Sequence, residues 1–287
     1  MEKNIEFPDC WEELQPSEWL HLLESRELLM TKPGISLLDV KREWCTFVLK
    51  NRGLAPLHNK TEFYLLVDEL AQTLDWMWLT VEDTRDDGTT VMEATLTYES
   101  TVNLLPEWGG LRGPVSHGAD LTFGEFRHAV EAMNRYDGSH DPADLQALCG
   151  ILYRQPGKRQ WLGREPFDGK KIAYYMEQVS AMPSAVRWGV YAWFSYFCQY
   201  LISGPFLIGG LEVCFAPVFA RSKRGKDAQP ADAQSLGMNS ILFSVAESGV
   251  FGNAKETDRT PLLSVMMKLL DDKQRADELT RSLRHNS

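Results

Sequence analysis

Apolar residues recur every three or four positions along most of the chain, the period of an α-helix with one buried face. After Pro16, the residues Trp19, Leu22, Leu23, Leu29 and Met30 share such a face, and Lys32-Pro33-Gly34 stops the run. Ser36, with Asp39 three residues on, forms a variant capping box that opens a second helix through Trp44 and Val48, closed at Gly53. Phe63, Leu66, Val67, Leu70, Leu74, Met77 and Trp78 predict a third. These three helices make an N-terminal helical subdomain, 1–80. The period then changes: Asp87-Gly88 signals a turn, and Thr89 to Tyr98 is rich in β-branched residues without helical spacing, so two or three short strands and a loop are predicted over 81–120.

Helical spacing resumes with a capping box from Thr122 to Glu125, followed by Phe123, Phe126, Val130 and Met133 on one face. Asp141 as N-cap and Pro142 in the first turn open the next helix, with Leu145, Leu148, Cys149 and Leu152 predicted to be inside, and another helix is predicted over 168–181. A central helical core thus spans 121–220, a polar linker or loop 221–234, and C-terminal helices 235–287. One of those covers Ser235 to Glu247, and the other starts near Pro261 and loses its apolar face after Leu270. The fold class predicted is mainly α, a multi-helix bundle with a small β-hairpin or short-strand insertion. From Trp188 to Leu211 no residue is charged, which raises a membrane-associated protein using 188–220 as an alternative. The break at Gly204-Pro205 and the polar stripe of Ser195, Gln199 and Ser203 favour a helix enclosed by its neighbours.

Charge narrows the classes of partner. A formal net charge of -10 opposes a phosphate backbone, so any contact with nucleic acid would have to rest on a local patch. Five cysteines without a Cys-x-x-Cys pair, set mostly among apolar residues, read as reduced thiols. With no signal-peptide pattern at the N-terminus, they place the protein in the cytoplasm.

Two motifs invite chemistry. Glu18 with His21, and Glu125 with His128, repeat the Glu-x-x-His spacing of di-iron carboxylate bundles, in which both ligands point inward from one helical face. On a helical wheel these pairs lie away from the apolar stripes, so both are predicted to face solvent, and a metal-dependent carboxylate/His enzyme is kept as the alternative reading. No Gly-x-Ser-x-Gly elbow, phosphate-binding loop or dinucleotide fingerprint is present, and neither a catalytic residue nor a cofactor is assigned. The second motif is the stretch 154–171, where Arg154, Lys158, Arg159, Arg164, Lys170 and Lys171 outnumber Glu165 and Asp168, and Trp161 and Phe167 interleave with the charges. Such a loop suits docking of a protein partner, stacking on single-stranded nucleic acid, or simple solvation. As a docking surface it would expose Arg154, Lys158, Arg159, Trp161 and Arg164 over anchors at Leu148 and Leu152.

The succession "LTFGEFRHAVEAM", "DLQALCGILYRQPG", "VRWGVYAWFSYF" and "ESGVFGNAKETDRTPLLSVMMKLL" resembles a group of proteins encoded among the tail genes of tailed phages and prophages. The likeness covers roughly 105–270 and is most specific at Leu152-Tyr153-Arg154 and Gly249 to Leu263. At 157–166 the chain is longer than the loop of that group. The resemblance implies a chaperone-like or structural role in tail assembly. Its partner would be a protein, such as a tail tube or tape-measure component, rather than nucleic acid or a membrane.

Overall fold

The computed structural model describes residues 5–54, 60–84, 90–158, 163–219 and 238–285. The fold is mainly α, with eleven α-helices and three small antiparallel strand pairs among those residues. The chain divides into two compact units, Met1–Leu105 with Met182–Trp193, and Pro106–Ala181 with Phe194–Ser287.

In the first unit α1 (Pro16–Thr31), α2 (Leu37–Asn51) and α3 (Lys60–Gln72) bear out the predicted helices, and Ser36 and Asp39 form the predicted capping box. Gly53, at φ 89°, ends the last turn of α2. The core is aromatic: Trp11 packs on Trp19, Trp76 and Tyr98 with ring centroids 5.5, 4.9 and 5.0 Å apart, and buried Trp44 donates its indole N–H to the Glu18 carbonyl. Met30, predicted to lie on the buried face of α1, is instead 62% exposed.

The third helix stops earlier than its apolar spacing predicts. After a short 3-10 turn, Trp78 begins β1 (Trp78–Thr84), which pairs antiparallel with β2 (Thr90–Leu96). Leu74 and Met77 are buried from that turn, so their helix-like spacing reports burial and not helix. The Asp87-Gly88 turn lies outside the described residues.

The second unit opens with β3 (Glu107–Trp108) and β4 (Leu111–Arg112), a two-residue pair. It continues with α4 (Phe123–Ser139), α5 (Pro142–Leu152) and α6 (Ile172–Gln178). The caps predicted for α4 and α5 are present, with Thr122 Oγ1 accepting from the Glu125 amide and Asp141 Oδ1 from the Ala143 amide. Helices α5 and α6 pack backbone to backbone at Gly150, where an added Cβ would lie 2.9 Å from the Met176 nitrogen. Helix α7 (Ser184–Ser203) contributes its first half to one unit and its second half to the other. It is not enclosed as predicted: Phe194, Phe197 and Leu201 are buried, while Gln199 and Ser203 of the polar stripe are exposed. No helix among the described residues is long and apolar enough to cross a membrane.

The chain then turns through β5 (Pro205–Ile208) and β6 (Leu211–Cys214), joined by Gly209 and Gly210, both at positive φ as a two-residue hairpin requires. After α8 (Ala216–Phe219), the predicted linker 221–234 lies outside the described residues. Helices α9 (Met238–Glu247) and α11 (Leu262–His285) match the predicted C-terminal pair. Between them α10 (Ala254–Arg259) was not predicted, although its capping box from Asn253 to Glu256 is visible in the sequence.

Candidate functional site

The most charged interior of the second unit is built on the first turn of α4. Thr122 caps the helix, and Glu125 turns back so that its Oε2 accepts from the Thr122 amide at 3.0 Å. Its other oxygen accepts from Arg154 at 2.6 Å and from Arg164 at 2.9 Å. Arg164 also pairs with Asp120 at 3.0 Å. Glu125, Arg154 and Arg164 are 2%, 2% and 4% exposed. Burial alone would push the Glu125 carboxyl up, but the charges of Arg164 and Arg154 and the hydrogen bonds from Thr122 and Arg154 outweigh it and hold its pKa below the usual range. For Arg154, burial and the neighbouring Arg164 pull the pKa down against the attraction of Glu125.

Both guanidiniums also cap a helix. Arg154 donates to the carbonyls of Ile151 and Glu165, and Arg164 to that of Leu152 at 2.7 Å, so the last carbonyls of α5 receive the donors that helix termini lack. Arg154 further lies over the rings of Phe167 and Tyr175, 5.5 and 5.9 Å from their centroids. The backbone is pinned at the same place. Arg154 and Arg112 exchange N–H···O bonds of 2.8 and 3.0 Å, Glu165 donates to Gln155 at 2.7 Å, and Gly157 donates to Gly163 at 3.2 Å. The basic stretch is therefore a loop whose two ends are tied together over an ionic cluster.

That geometry corrects two expectations. Arg154 and Arg164 do not face outward, because their charges are matched inside by Glu125 and Asp120. Lys158 is exposed, Phe167 is half-buried, and Arg159 and Trp161 lie outside the described residues. The glutamates of the two Glu-x-x-His pairs do not face solvent either. Glu18, 0% exposed, accepts from Arg52 at 2.8 and 2.9 Å and from the Gln15 amide at 2.9 Å. His21 is half-buried and meets Glu43 at 2.7 Å, while half-buried His128 stands 3.3 Å from Arg127. Each glutamate sits at the third position of its helix and turns back toward the N-cap, a cap geometry in which its carboxylate is also paired with guanidinium groups. Among the described residues, Asp9, Cys10 and Glu13 form one group with three ligand-type atoms within 4.8 Å of one another, and it includes neither pair.

Two pockets of about 510 Å³ each adjoin the cluster. The first is lined by Asp120, Glu125, Arg154, Arg164 and Glu165, the second by His128, Asp168, Lys170, Lys255 and Asp258, and Phe167 and Arg259 line both. Sequence reasoning missed this site because Glu125 meets its arginines 29 and 39 positions away, a separation that no local spacing reports. The visible signal was the capping-box glutamate together with a basic loop that begins at the end of a helix. No family model, curated protein or solved structure matches the chain.

Proposed function

We propose that the chain is a non-enzymatic protein-binding factor of the tail-assembly kind, chaperone-like or structural, which docks a protein partner through the basic loop between Gly157 and Gly163. The observation that carries this reading is the closed root of the loop. Arg154 and Arg164 are fully engaged by Glu125, Asp120 and the α5 carbonyls, so the cluster closes the root of the loop, and Glu125 already accepts from Thr122, Arg154 and Arg164. Between the tied ends the sequence is Lys158-Arg159-Gln160-Trp161-Leu162, the Trp and Arg composition of interface hot spots. The net charge of -10 favours a protein over nucleic acid as the partner. The likeness to phage tail-gene products over 105–270 suggests a tail tube or tape-measure component.

The test is co-purification with proteins encoded by neighbouring genes, set beside a filter-binding titration with single-stranded oligonucleotide. Trp161→Ala should weaken the protein complex by about 2 kcal/mol, the size of a hot spot, and leave the melting curve in place. Lys158→Ala with Arg159→Ala should act through association rate and salt sensitivity. Oligonucleotide binding with a steep salt slope, reduced by every basic substitution, would replace the protein partner with nucleic acid. A complex indifferent to all these changes would leave the loop a solvated connector.

A further inference from the structure

The second pocket has a charge imbalance that the loop reading does not use. In the first pocket the acids have partners: Asp120 pairs with Arg164, Glu125 with both buried arginines, and Glu165 with Lys171 at 3.3 Å. In the second, Asp258 is paired with Arg127 at 3.1 Å, and Asp168 accepts from the Lys170 amide at 3.1 Å as the cap of a short turn. Lys170, Lys255 and Arg259 line the same pocket and make no ion pair among the described residues. Lys255 and Arg259 stand four residues apart on α10, a spacing at which like charges share a helix face and repel. An anion between them relieves that repulsion.

One wall of the pocket is a tight approach between Gly169 and His128. Gly169 lies so near α4 that an added Cβ would stand 2.9 Å from His128 Nε2, so a residue without a side chain lets the 168–170 turn seat there. His128 adds little positive charge, because burial and Arg127 hold its pKa below the usual imidazole value. Phe167, half-buried, supplies an apolar wall shared with the first pocket. A volume of about 510 Å³ is within the range of small-molecule sites.

We propose that the pocket between α4, α10 and the 167–170 turn binds a small multivalent anion, a phosphate or polycarboxylate compound, with Lys170, Lys255 and Arg259 as counter-charges and Phe167 as the apolar wall. The three cations face the one carboxylate of Asp168, which an amide hydrogen bond does not neutralise, so a net charge of about +2 remains around the pocket and suits a ligand with two or more negative charges. The site shares Phe167 and Lys170 with the basic stretch but uses none of residues 157–163, so its binding test reads separately from the proposed function.

The experiment titrates pyrophosphate and citrate separately into isotope-labelled full-length protein at about 150 mM salt, where charges beyond roughly 8 Å are screened. Saturable binding of at least one probe, with amide shifts centred on Gly169, Lys170 and Ala254, is the expected result, and the tighter probe distinguishes a phosphate from a carboxylate ligand. Lys255→Ala with Arg259→Ala should lower the affinity at least about tenfold, Arg259→Lys should restore much of it, and Lys32→Ala, on an exposed position of the other unit, should change nothing. Failure of both probes to saturate by about 10 mM overturns the proposal, as do shifts centred elsewhere, equal loss with Lys32→Ala, or an unchanged double variant. The wild-type shift map decides the matter even if the double variant fails to fold.

Discussion

Replacing Glu125 by Gln is the most direct test of whether the ionic cluster holds the second unit together. Glutamine keeps the shape and one acceptor, yet leaves Arg154 and Arg164 buried with a single remaining carboxylate, that of partly exposed Asp120. Removing one partner from a buried ion pair costs about 3–5 kcal/mol, most of it from the charge left unmatched. For a unit of this size each kcal/mol lowers the melting temperature by roughly 2–4 °C, so a drop of about 10 °C is expected. The pH dependence gives a second reading. Because the folded pKa of Glu125 is depressed, its contribution is fully present above the ordinary carboxyl pKa of about 4.3 and is lost as pH falls through the lower folded value. The variant has no group to titrate there, so the gap between wild type and Glu125→Gln should narrow as pH falls below about 4. Thermal unfolding followed by circular dichroism at pH 7 and again near pH 3 measures both effects. A Glu125→Gln protein that melts within about 2 °C of wild type at pH 7 would refute the argument, since that corresponds to roughly 1 kcal/mol or less. A gap that is undiminished at low pH would show that the loss comes from packing rather than charge.

Glu18→Gln should likewise cost about 3 kcal/mol, because Arg52 would lose the carboxylate it meets at 2.8 and 2.9 Å; urea unfolding reads this as a lower midpoint. Gly150→Ala should destabilise by about 1–3 kcal/mol by forcing α5 from the α6 backbone, and an unchanged urea midpoint would mean that the helices shift apart without strain. Thiol titration should modify exposed Cys214 first and leave Cys45 untouched until unfolding, since burial raises the Cys45 pKa to about 12; early loss of Cys45 would contradict its burial. Purified protein should hold no stoichiometric iron, manganese or zinc, and elemental analysis finding about one equivalent that disappears with His128→Ala would restore the metal reading.

How much of this was legible in the sequence depends on whether the signal was local. Ser36, Thr122 and Asp141 announced their helices because a cap involves residues two or three positions apart, and the structure places each as read. Gly53 closed α2 for the same reason. Residues 74–78 misled because a tight turn followed by the buried first residue of a strand can reproduce helical spacing over one turn, and the β-branched residues that distinguish them come only afterwards.

The two Glu-x-x-His pairs show where a helical wheel fails. A wheel divides a helix into a buried and a solvated face, which holds for the middle of a helix lying on a core. At the start of α4 it does not hold, because Phe123, Gly124, Glu125, Phe126 and Arg127 are all buried. Gly124 abuts the Asp258 backbone, the Phe123 amide donates to the Thr260 carbonyl, and Glu125 faces two arginines, so the end of α10 and the basic stretch together enclose one turn. An enclosed first turn must satisfy its free amides, and the third-position glutamate that does so is itself carried inside, where it requires cations. The basic loop supplies them. The charges that looked like a surface for a partner are therefore of two kinds: Arg154 and Arg164 answer a need created at the start of α4, whereas exposed Lys158 is called for by no buried acid among the described residues.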